Sequence, residues 1–232
     1  MREVDKTEVR ALPLFRDISA ENFDILTQAA YAQAFPAKLE LIRQGESADF
    51  LHIVVEGAVE MYSRWRDQET TMAVVRPVST FILAACIKDA PYLMSARTME
   101  KSRIIMIPSE DLRATFRSDP QFAMSAITEL ANCYRSVVRH AKNLKLRNSR
   151  ERVAAYILRQ SNQAGGVASF NLETEKRLLA SYLGMSAENF SRAAKALQSD
   201  GVVMDGMRII ITDKMALEAV AGADVLIDSL DA

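Results

Sequence analysis

The segment from Thr174 to Leu197 constrains the fold of this chain more than any other stretch. It holds one glycine, Gly184, with apolar residues at helical spacing on both sides of it. These are Leu178, Leu179, Ala180 and Leu183 before the glycine, and Phe190, Ala194 and Leu197 after it. Gly184 can take the positive φ that ends a helix, and Ser186 is a favourable N-cap for the next one. The segment therefore predicts two short helices packed across a tight turn, a helix-turn-helix.

The polar face of the second predicted helix carries side chains that suit DNA bases. They are Glu188, Asn189, Ser191, Arg192 and Lys195, and Lys176 from the first helix is added to them. An arginine can bind the O6/N7 edge of guanine with two hydrogen bonds, a glutamate can accept from cytosine N4, and a serine serves either partner. These six residues are the candidate DNA contacts of the motif. The alternative is a helical hairpin of an enzyme, whose polar face is only solvated.

Two apolar runs follow the motif and predict a β-hairpin. Residues 202–204 and 207–211 flank Asp205-Gly206, a dipeptide typical of tight hairpin turns. A helix-turn-helix followed at once by a hairpin is a winged helix, whose wing lies near the phosphate backbone of DNA. Arg208 is the only basic residue of the wing and is therefore its candidate phosphate contact. The hairpin thus favours a DNA-binding unit over the enzyme alternative.

The composition is typical of two modest domains without a membrane segment. At 232 residues the chain can bury two cores, and no apolar run reaches the roughly 18–20 residues of a membrane span. The N-terminal residues do not form a secretory signal, so we expect a cytoplasmic protein with no membrane partner. The net charge is −1, yet residues 134–160 hold eight Lys/Arg against one acidic residue. That basic stretch is either an electrostatic footprint for DNA or a solvated helix face.

The chain changes character near residue 35. Apolar residues at helical spacing predict short helices over residues 7–34, whereas residues 35–108 hold short β-rich runs at close spacing. Two such runs, residues 50–55 and 58–62, are separated only by Glu56-Gly57. Several short strands at this spacing predict an antiparallel sandwich or barrel, and the fold class is therefore α+β.

Residues 109–147 are predicted to be helical and carry a strict apolar stripe. It consists of Ala123, Ile127, Leu130, Tyr134, Val137, Ala141 and Leu144, which we call the dimer stripe. Alternating spacings of four and three residues are typical of the seam of a two-stranded coiled coil, whereas a helix packed inside one chain shows a wider stripe. We therefore expect a parallel homodimer through this helix, with an intrachain core helix as the alternative.

A hinge is expected where the dimer stripe ends. Asn148-Ser149 interrupts the stripe, and a new helix is predicted over residues 152–160. The predicted parts are therefore a sensor domain over residues 1–108, a dimerisation helix with its hinge over residues 109–148, and a DNA-binding domain over residues 149–232.

Five short motifs follow one another in an informative order. They are Leu12-Pro13-Leu14-Phe15, Gly45-Glu46-Ser47-Ala48-Asp49, Ile53-Val54-Val55-Glu56-Gly57-Ala58-Val59, Arg152-Val153-Ala154-Ala155-Tyr156-Ile157-Leu158 and Glu188-x-x-Ser191-Arg192. Together they resemble the CRP/FNR superfamily of bacterial transcription regulators, and the last is similar to the E-x-x-S-R signature of the FNR branch. The resemblance implies an N-terminal antiparallel β-roll that senses an effector, a long dimerisation helix and a C-terminal winged helix-turn-helix. It also implies a homodimer, double-stranded DNA with palindromic TTGA(T/C)-like half-sites, and RNA polymerase as a partner.

Two features of that family are missing from this sequence. Cyclic-AMP-binding members hold the ribose with a Gly-Glu-Leu turn and the phosphate with an Arg-Ser pair. The matching stretches, Leu83-Ala84-Ala85 and Ala90-Pro91, offer neither an acceptor nor a cation, and Val137-Val138 replaces the hydroxyl pair that meets the adenine. We therefore expect no cyclic AMP binding. Residues 1–85 contain no cysteine, so an iron–sulfur cluster of the FNR kind is not expected either.

An apolar effector pocket is expected in place of the cyclic-nucleotide site. Its candidate residues are Phe81, Leu83, Ala84, Ala85, Leu93, Met94, Val137 and Val138. Such a pocket is either a core that binds nothing or a site for a small apolar ligand or haem, as in the gas-sensing and nitric-oxide-responsive branches of the family. The cofactor stays unknown. If haem is bound, His52 or His140 is a possible axial ligand, because no other histidine exists.

Other forms of control, and one other class of function, stay open. Oxidation of Cys86 or Cys133 could switch the regulator, although Cys86 lies in an apolar run and is expected to be a core residue. The regulator could also be constitutively active. A further alternative is a cyclic-nucleotide-fold module that regulates without binding DNA. An enzyme is not expected, because no nucleophile–base pair, phosphate loop or metal-ligand motif stands out.

Overall fold

The long helix Pro120–Leu146 runs across the boundary between two structural units of the chain. The computed structural model describes residues 2–228. One unit comprises residues 1–132 and the other residues 133–232, and each has its own hydrophobic core. The division predicted at residues 108 and 148 stays a prediction, and its two ends, residues 1 and 229–232, lie outside the described residues.

The first unit combines short antiparallel strands with helices at both ends. Its strands are β1 (Tyr31–Phe35), β2 (Glu40–Ile42), β3 (Phe50–Glu56), β4 (Val59–Trp65), β5 (Gln68–Val75), β6 (Ser79–Phe81), β7 (Ser95–Thr98) and β8 (Ser102–Pro108). Its helices are α1 (Glu3–Ala11), α2 (Ala20–Ala29), α3 (Leu83–Lys88), α4 (Ser109–Ser118) and the first half of α5 (Pro120–Leu146), with a 3₁₀ turn at Pro13–Phe15.

The strands form the two sheets of a β-roll. One sheet has the order β1-β8-β3-β6 and the other β2-β7-β4-β5, and every pairing in both sheets is antiparallel. Ile53 pairs with Ile105 in the first sheet, and Val59 pairs with Val75 in the second. Ile53, Ile105 and Val59 are fully buried. The apolar runs of the sequence therefore supply the core of this unit. The antiparallel β-roll and the α+β fold class are confirmed.

Two local predictions in this unit are wrong. The helices predicted over residues 7–34 end at Ala29, because residues 31–35 form β1 and pair with residues 102–106 of β8. Ala and Gln favour a helix locally, but the hydrogen bonds of a distant strand decide the conformation. The second error is α3, a helix inside the stretch predicted to be β-rich. Leu83 and Cys86 are buried three residues apart, a helical spacing.

The second unit begins with the second half of α5. It continues with α6 (Ser149–Gln163), β9 (Ser169–Asn171), α7 (Lys176–Tyr182), α8 (Ala187–Ala196), a 3₁₀ turn (Leu197–Asp200), β10 (Val202–Asp205), β11 (Arg208–Ile211), α9 (Lys214–Ala221) and α10 (Val225–Asp228). The break after α5 is defined by a capping box, because the Asn148 side chain accepts from the Glu151 N–H and the Glu151 carboxylate accepts from the Asn148 N–H. The helix predicted to start at Arg152 therefore starts at Ser149.

The wing contains one more strand than the sequence predicted, and its turn is shifted by one residue. β11 pairs with β10 and also with β9, so the sheet has the order β10-β11-β9. Asp205 pairs with Arg208, which makes Gly206-Met207 the two-residue loop in place of Asp205-Gly206. Gly206 has a φ of +56°, and a glycine at the first loop position is typical of a type II′ turn.

The dimer stripe is divided between exposed and partly buried positions. Ile127, Tyr134 and Val137 are 58%, 70% and 66% exposed. Leu130 packs against the core of the first unit, and Leu144 approaches Gly184 within the second. Ala123 and Ala141 are half-buried. The stripe thus leaves three large apolar side chains more than half exposed in the single chain, and its role in a dimer stays a prediction.

Candidate nucleic-acid interface

The first helix of the motif, α7, is held by the apolar residues that the sequence identified. Leu179, Ala180 and Leu183 are buried, and Leu178 is half-buried. Gly184 has a φ of +66°, as predicted for the residue that ends this helix. A Cβ atom at Gly184 would lie 2.8 Å from Cδ2 of Leu144, so the glycine also allows α5 to approach closely. The positive φ favours glycine at this position, and any larger residue would also require the end of the Leu144 side chain to move.

The second helix, α8, begins and packs as predicted. The Ser186 hydroxyl accepts a hydrogen bond from the Asn189 N–H at 3.2 Å and caps the helix. Phe190, Ala194 and Leu197 are buried as predicted, and Ala193, which was not among the predicted core residues, is buried with them. The apolar side of α8 therefore belongs to the core of the second unit.

The opposite face of α8 presents all five predicted side chains to solvent. Glu188, Asn189, Ser191, Arg192 and Lys195 are exposed. Nη2 of Arg192 donates to Oδ1 of Asn189 at 2.6 Å, and the Ser191 hydroxyl donates to the carbonyl of Ala187 at 2.9 Å. The face therefore offers one guanidinium, one ammonium and one carboxylate within two helical turns. These are groups that can bind guanine, phosphate and cytosine respectively.

Lys176 lies beside this face together with Gln198, which was not predicted from the sequence. Lys176, Ser191, Lys195 and Gln198 line one recess of about 160 Å³, so the two lysines concentrate positive charge between α7 and α8. Gln198 is exposed and lies three residues after Lys195 and seven after Ser191. That helical spacing was the signal that could have identified it.

Arg208 projects from the wing as predicted. It is exposed, and its Nε donates to the hydroxyl of Ser169 at 3.1 Å. Ser169 belongs to β9, the strand that the sequence did not predict. The third strand therefore orients the only basic side chain of the wing, and the rest of the guanidinium can bind a phosphate.

Part of the basic stretch over residues 134–160 has a structural role. Arg147 binds Asp228 through two hydrogen bonds, and Arg150 forms an ion pair with Asp200. Nη1 of Arg152 donates to the carbonyls of Leu144 and Arg147 at 3.0 and 3.1 Å. These three arginines hold the elements of the second unit together, so a DNA footprint is not needed to explain them.

The effector-pocket residues of the first unit occupy different environments. Phe81 and Leu83 belong to the core, Ala85 and Met94 are half-buried, and Ala84 and Leu93 are exposed, Leu93 at 82%. In the second unit, Val137 and Val138 are both exposed. A cavity of about 350 Å³ does exist in the β-roll, but other residues line it, including Phe35, Ile42, Phe50, His52 and Tyr92. The predicted pocket therefore differs from this cavity.

His52 is a neutral imidazole on the wall of that cavity. It is 4% exposed, its ring stacks on Phe81 at 5.1 Å, and burial lowers its pKa to about 4. Within the part of the chain that the structure describes, its Nδ1 is buried without a hydrogen-bond partner. Neutral imidazole is the form that binds iron, so His52 has the right chemistry for an axial ligand. The cavity is at the small end of the usual ligand range of ~300–1,000 Å³, so a porphyrin would require it to widen.

The two cysteines lie in different surroundings. Cys86 is fully buried, its Sγ donates to the carbonyl of Phe50 at 3.3 Å, and burial raises its pKa. Cys86 is therefore a core residue as expected, and its raised pKa disfavours the reactive thiolate, whereas Cys133 is exposed on α5. Among residues 2–228, no cluster of three or more His, Cys, Asp or Glu side chains is arranged to hold a metal ion. Over the same residues, no helix combines the length and the hydropathy that crossing a membrane requires.

Two family models match this chain in the order of its two units. The model of the cyclic nucleotide-binding domain matches residues 32–119, and that of the Crp-like helix-turn-helix domain matches residues 151–220. A β-roll of the first kind followed by a DNA-binding domain of the second defines a DNA-binding transcription regulator. The chain belongs to the CRP/FNR family of transcription regulators, which is not a family of enzymes.

Individual relatives share modest identity over most of their length. The Cyclic AMP receptor protein of Thermus thermophilus is 25% identical over 210 residues, which cover 90% of this chain and 96% of that protein. The Transcriptional activator protein FnrL of Cereibacter sphaeroides is 26% identical over 228 residues, covering 88% and 86%. The solved structure of FixK2 from Bradyrhizobium japonicum has a TM-score of 0.72 at 22% identity, covering 84% of this chain and 98% of that one, and shows the shared fold.

Proposed function

We propose that this regulator binds, as a homodimer, a palindrome of TTGA(T/C)-like half-sites, with α8 in the major groove of each. The observation that carries the proposal is the exposed Glu188-x-x-Ser191-Arg192 face of a helix that is otherwise fixed in the core. Arg192 is assigned to a guanine and Glu188 to a cytosine N4. Residues three and four apart share one face of a helix, so these side chains can contact neighbouring base pairs together.

Three basic residues are proposed to position the helix without reading sequence. Lys176 and Lys195 lie in one recess beside α8, and Arg208 projects from the wing. Cations at such places neutralise phosphates and make the affinity depend steeply on salt. The overall charge of −1 is therefore compatible with DNA binding, because the positive groups are concentrated where the helix would meet the backbone.

The dimer is proposed to form along the dimer stripe of α5. Ile127, Tyr134 and Val137 are large, apolar and more than half exposed in the single chain. Exposed apolar residues at coiled-coil spacing are stabilised when a second helix buries them. A two-fold dimer would also present two copies of α8, as a palindromic site requires. We further propose that the DNA-bound dimer acts on RNA polymerase.

The controlling signal is proposed to be something other than cyclic AMP. The Thermus relative is named for cyclic AMP, but this chain has Leu83-Ala84-Ala85 and Ala90-Pro91 where that ligand would need an acceptor and a cation. Nitric oxide or another gas bound to haem is one candidate signal, supported by the buried, neutral imidazole of His52 beside a cavity. The visible absorption spectrum of protein purified anaerobically tests it. A haem band that His52→Ala abolishes supports this signal, and the absence of a band contradicts it.

Salt-dependent binding to two DNA duplexes tests the DNA-binding proposal. One duplex carries an inverted TTGAT repeat with half-site centres about 10 bp apart, and the other carries the same bases in scrambled order. We expect tight binding to the first, weak binding to the second, and a steep loss of both affinities with salt. Equal affinity for the two would contradict the proposed site, and no binding to either would favour a regulatory module that does not bind DNA.

A further inference from the structure

The cavity of about 350 Å³ in the β-roll lies between the edge strands of its two sheets. β1 and β2 each stand at the end of a sheet, and both supply lining residues, among them Phe35 and Ile42. Leu83-Ala84-Ala85 and Ala90-Pro91, which match the nucleotide contacts of cyclic-AMP-binding family members, do not line it. The cavity is therefore a separate place in the β-roll, and its volume suits a small molecule.

The less exposed walls of this cavity are apolar and aromatic. Phe35, Ile42, Phe50, Tyr92 and Met106 line it. Ile42 and Tyr92 are buried, and the other three are half-buried. These walls suit an apolar body, and the faces of aromatic rings also attract a cation.

His52 adds one unused hydrogen-bonding atom to the wall. The residue is 4% exposed, and its Nδ1 has no hydrogen-bond partner among residues 2–228. Burial, against a smaller opposite effect of the Phe50 backbone, lowers its pKa to about 4, so the imidazole is neutral near pH 7. A neutral imidazole nitrogen can accept a hydrogen bond and does not repel a cation. Because a buried polar atom without a partner is costly, a ligand that donates a hydrogen bond to this ring would be stabilised.

Three carboxylates also line the cavity, those of Glu40, Glu46 and Asp49. Glu40 accepts hydrogen bonds from the Tyr62 hydroxyl at 2.6 Å and from the Arg43 guanidinium at 2.9 Å. Glu46 and Asp49 are exposed, and Arg43 also lies 3.7 Å from Glu46. Within residues 2–228, Asp49 forms no ion pair, and no Lys or Arg lines the cavity. Even when Arg43 is counted in full, three negative charges face one positive charge.

The further cations near Glu40 do not change this balance. Its hydrogen bonds come first among the groups that lower the pKa of Glu40, and the charge of Arg64 comes last. Arg64 pairs with Glu69 at 3.0 Å, and Arg97 pairs with Glu60 and Glu69 at 2.7 and 2.6 Å. Two cations are thus matched by two carboxylates outside the cavity. The cavity therefore favours a cation and disfavours an anion such as a cyclic nucleotide.

We propose that this cavity binds a small organic amine, with its ammonium group beside Asp49 and Glu46, its apolar body against the aromatic walls and a hydrogen-bond donor directed at His52. The amine is a second candidate for the controlling signal, in the cavity that haem would otherwise occupy. Binding of the amine stands by itself, whereas its effect on DNA affinity rests on the proposed function.

Calorimetric titration of the full-length protein without DNA tests the site with four matched probes at constant ionic strength. Tryptamine has an ammonium group, an apolar ring and a ring N–H. Tryptophol replaces the ammonium by a hydroxyl, indole-3-propionate replaces it by a carboxylate, and 2-(1-naphthyl)ethylamine lacks the ring N–H. We expect saturable binding of tryptamine at one site per chain, weaker binding of tryptophol and the naphthyl amine, and the weakest binding of indole-3-propionate.

Asp49→Asn removes one charge from the mouth of the cavity. It should weaken tryptamine binding about two- to fivefold, the range of an ion pair that stays in contact with water, and leave tryptophol binding unchanged. Asp67→Asn, which replaces an exposed carboxylate at the turn between β4 and β5, is the matched control and should change neither affinity.

His52→Phe tests the inner hydrogen bond. The variant keeps an aromatic ring against Phe81 and removes the acceptor. It should weaken tryptamine binding about three- to tenfold, the loss expected for one hydrogen bond, and leave binding of the naphthyl amine nearly unchanged. If His52 only maintained the shape of the wall, both amines would lose affinity equally. The DNA affinity of the wild-type protein should shift about fivefold or more in saturating tryptamine.

Three outcomes would overturn the proposal. They are no saturable binding of tryptamine at millimolar concentration, binding of indole-3-propionate as tight as that of tryptamine, and binding that Asp67→Asn weakens as much as Asp49→Asn. If the purified protein instead shows a haem band that His52→Ala abolishes, the cavity holds haem and the amine site is wrong. Tryptamine binding with no DNA binding would retain the site and contradict only the proposed function.

Discussion

Nη2 of Arg192 donates a hydrogen bond to Oδ1 of Asn189 at 2.6 Å on the exposed face of α8. The bond holds the guanidinium along the helix before DNA arrives, which reduces the entropy lost when the arginine binds a base edge. Arg192→Ala should therefore cost roughly 1–3 kcal/mol per half-site and relax the preference at one guanine. Asn189→Ala, which removes the orienting bond but keeps the guanidinium, should cost less. Fluorescence anisotropy with each base at that position measures both effects.

Lys176→Ala is the matched comparison for this experiment. A phosphate contact carries no sequence information, so this variant should weaken binding to all duplexes equally and reduce the salt slope by about one. If Arg192→Ala behaves like Lys176→Ala and keeps the full base preference, then Arg192 does not contact a base.

Gly184 should be intolerant of a side chain for two separable reasons. Its φ of +66° strains an alanine by roughly 1–2 kcal/mol, and the new Cβ would also lie 2.8 Å from the Leu144 side chain. Gly184→Ala should therefore destabilise the second unit by at least this strain cost, with a smaller addition because the flexible end of the Leu144 side chain must move to make room. Chemical denaturation measures the loss in free energy of unfolding.

Gly165→Ala is the control for backbone strain alone. Gly165 has a φ of +84° and no atom within 4 Å of the Cβ position. The Gly165→Ala variant should therefore lose only the part of the free energy of unfolding that backbone strain costs. In a double variant, Leu144→Ala should recover part of the stability that Gly184→Ala loses. Equal losses in free energy of unfolding for Gly184→Ala and Gly165→Ala would show that the contact with Leu144 does not contribute to the cost.

Val137→Glu should convert the protein to a monomer. The side chain is 66% exposed within its own chain, so the substitution spares the fold but places two like charges face to face in a parallel coiled coil. Analytical ultracentrifugation should show loss of the dimer and, with it, of palindrome binding. Thr128→Glu introduces the same charge at an exposed position of α5 outside the dimer stripe and should stay dimeric. An unchanged dimer for Val137→Glu would place the interface elsewhere.

The carboxylate of Asp119 should make the first unit sensitive to acid. It accepts the N–H groups of Ser19 and Phe122 at 2.9 and 3.1 Å and the amide of Asn22 at 3.1 Å. These hydrogen bonds, that of the Ser19 N–H first, lower its pKa to about 2 from 3.8. Because the folded pKa is depressed, the stabilisation is complete above about pH 5 and is lost as the pH falls through 3.8 towards 2.

Thermal unfolding of Asp119→Ala checks this dependence. The variant should have a lower Tm than the wild type at pH 7, and the difference should narrow as the pH approaches 3. Asp67→Ala, at an exposed turn between β4 and β5, should match the wild type throughout. A difference in Tm that is constant from pH 7 to pH 3 would show that hydrogen bonding to the ionised carboxylate is not the cause.

Local periodicity explains which parts of this molecule the sequence could predict. In α8, the spacing of Phe190, Ala194 and Leu197 determines which side is buried, and the exposed side of Glu188 and Arg192 follows from it. The glycine that ends α7 and the serine that caps α8 act within a few residues of themselves, so their roles are also visible in the sequence. The order of the motifs then identified the family.

Features that depend on distant parts of the chain could not be predicted in the same way. β1 pairs with residues 102–106, and β9 pairs with residues 208–210, so neither strand is determined by its own composition. A cavity beside His140 combines side chains of four helices, and the cavity beside His52 combines side chains from several strands. The predicted effector pocket relied on an apolar run, which cannot distinguish a core residue such as Leu83 from an exposed one such as Leu93.

Selection of bound sequences from a random duplex pool tests the central claim most directly. Because the proposed dimer presents two copies of the Glu188-x-x-Ser191-Arg192 face, the enriched sequence should be an inverted repeat of TTGA(T/C) with half-site centres about one helical turn apart. The same selection with Arg192→Ala should lose information at one guanine of each half-site. An enriched motif without a TTG-type half-site, or a single half-site without its inverted partner, would contradict the account.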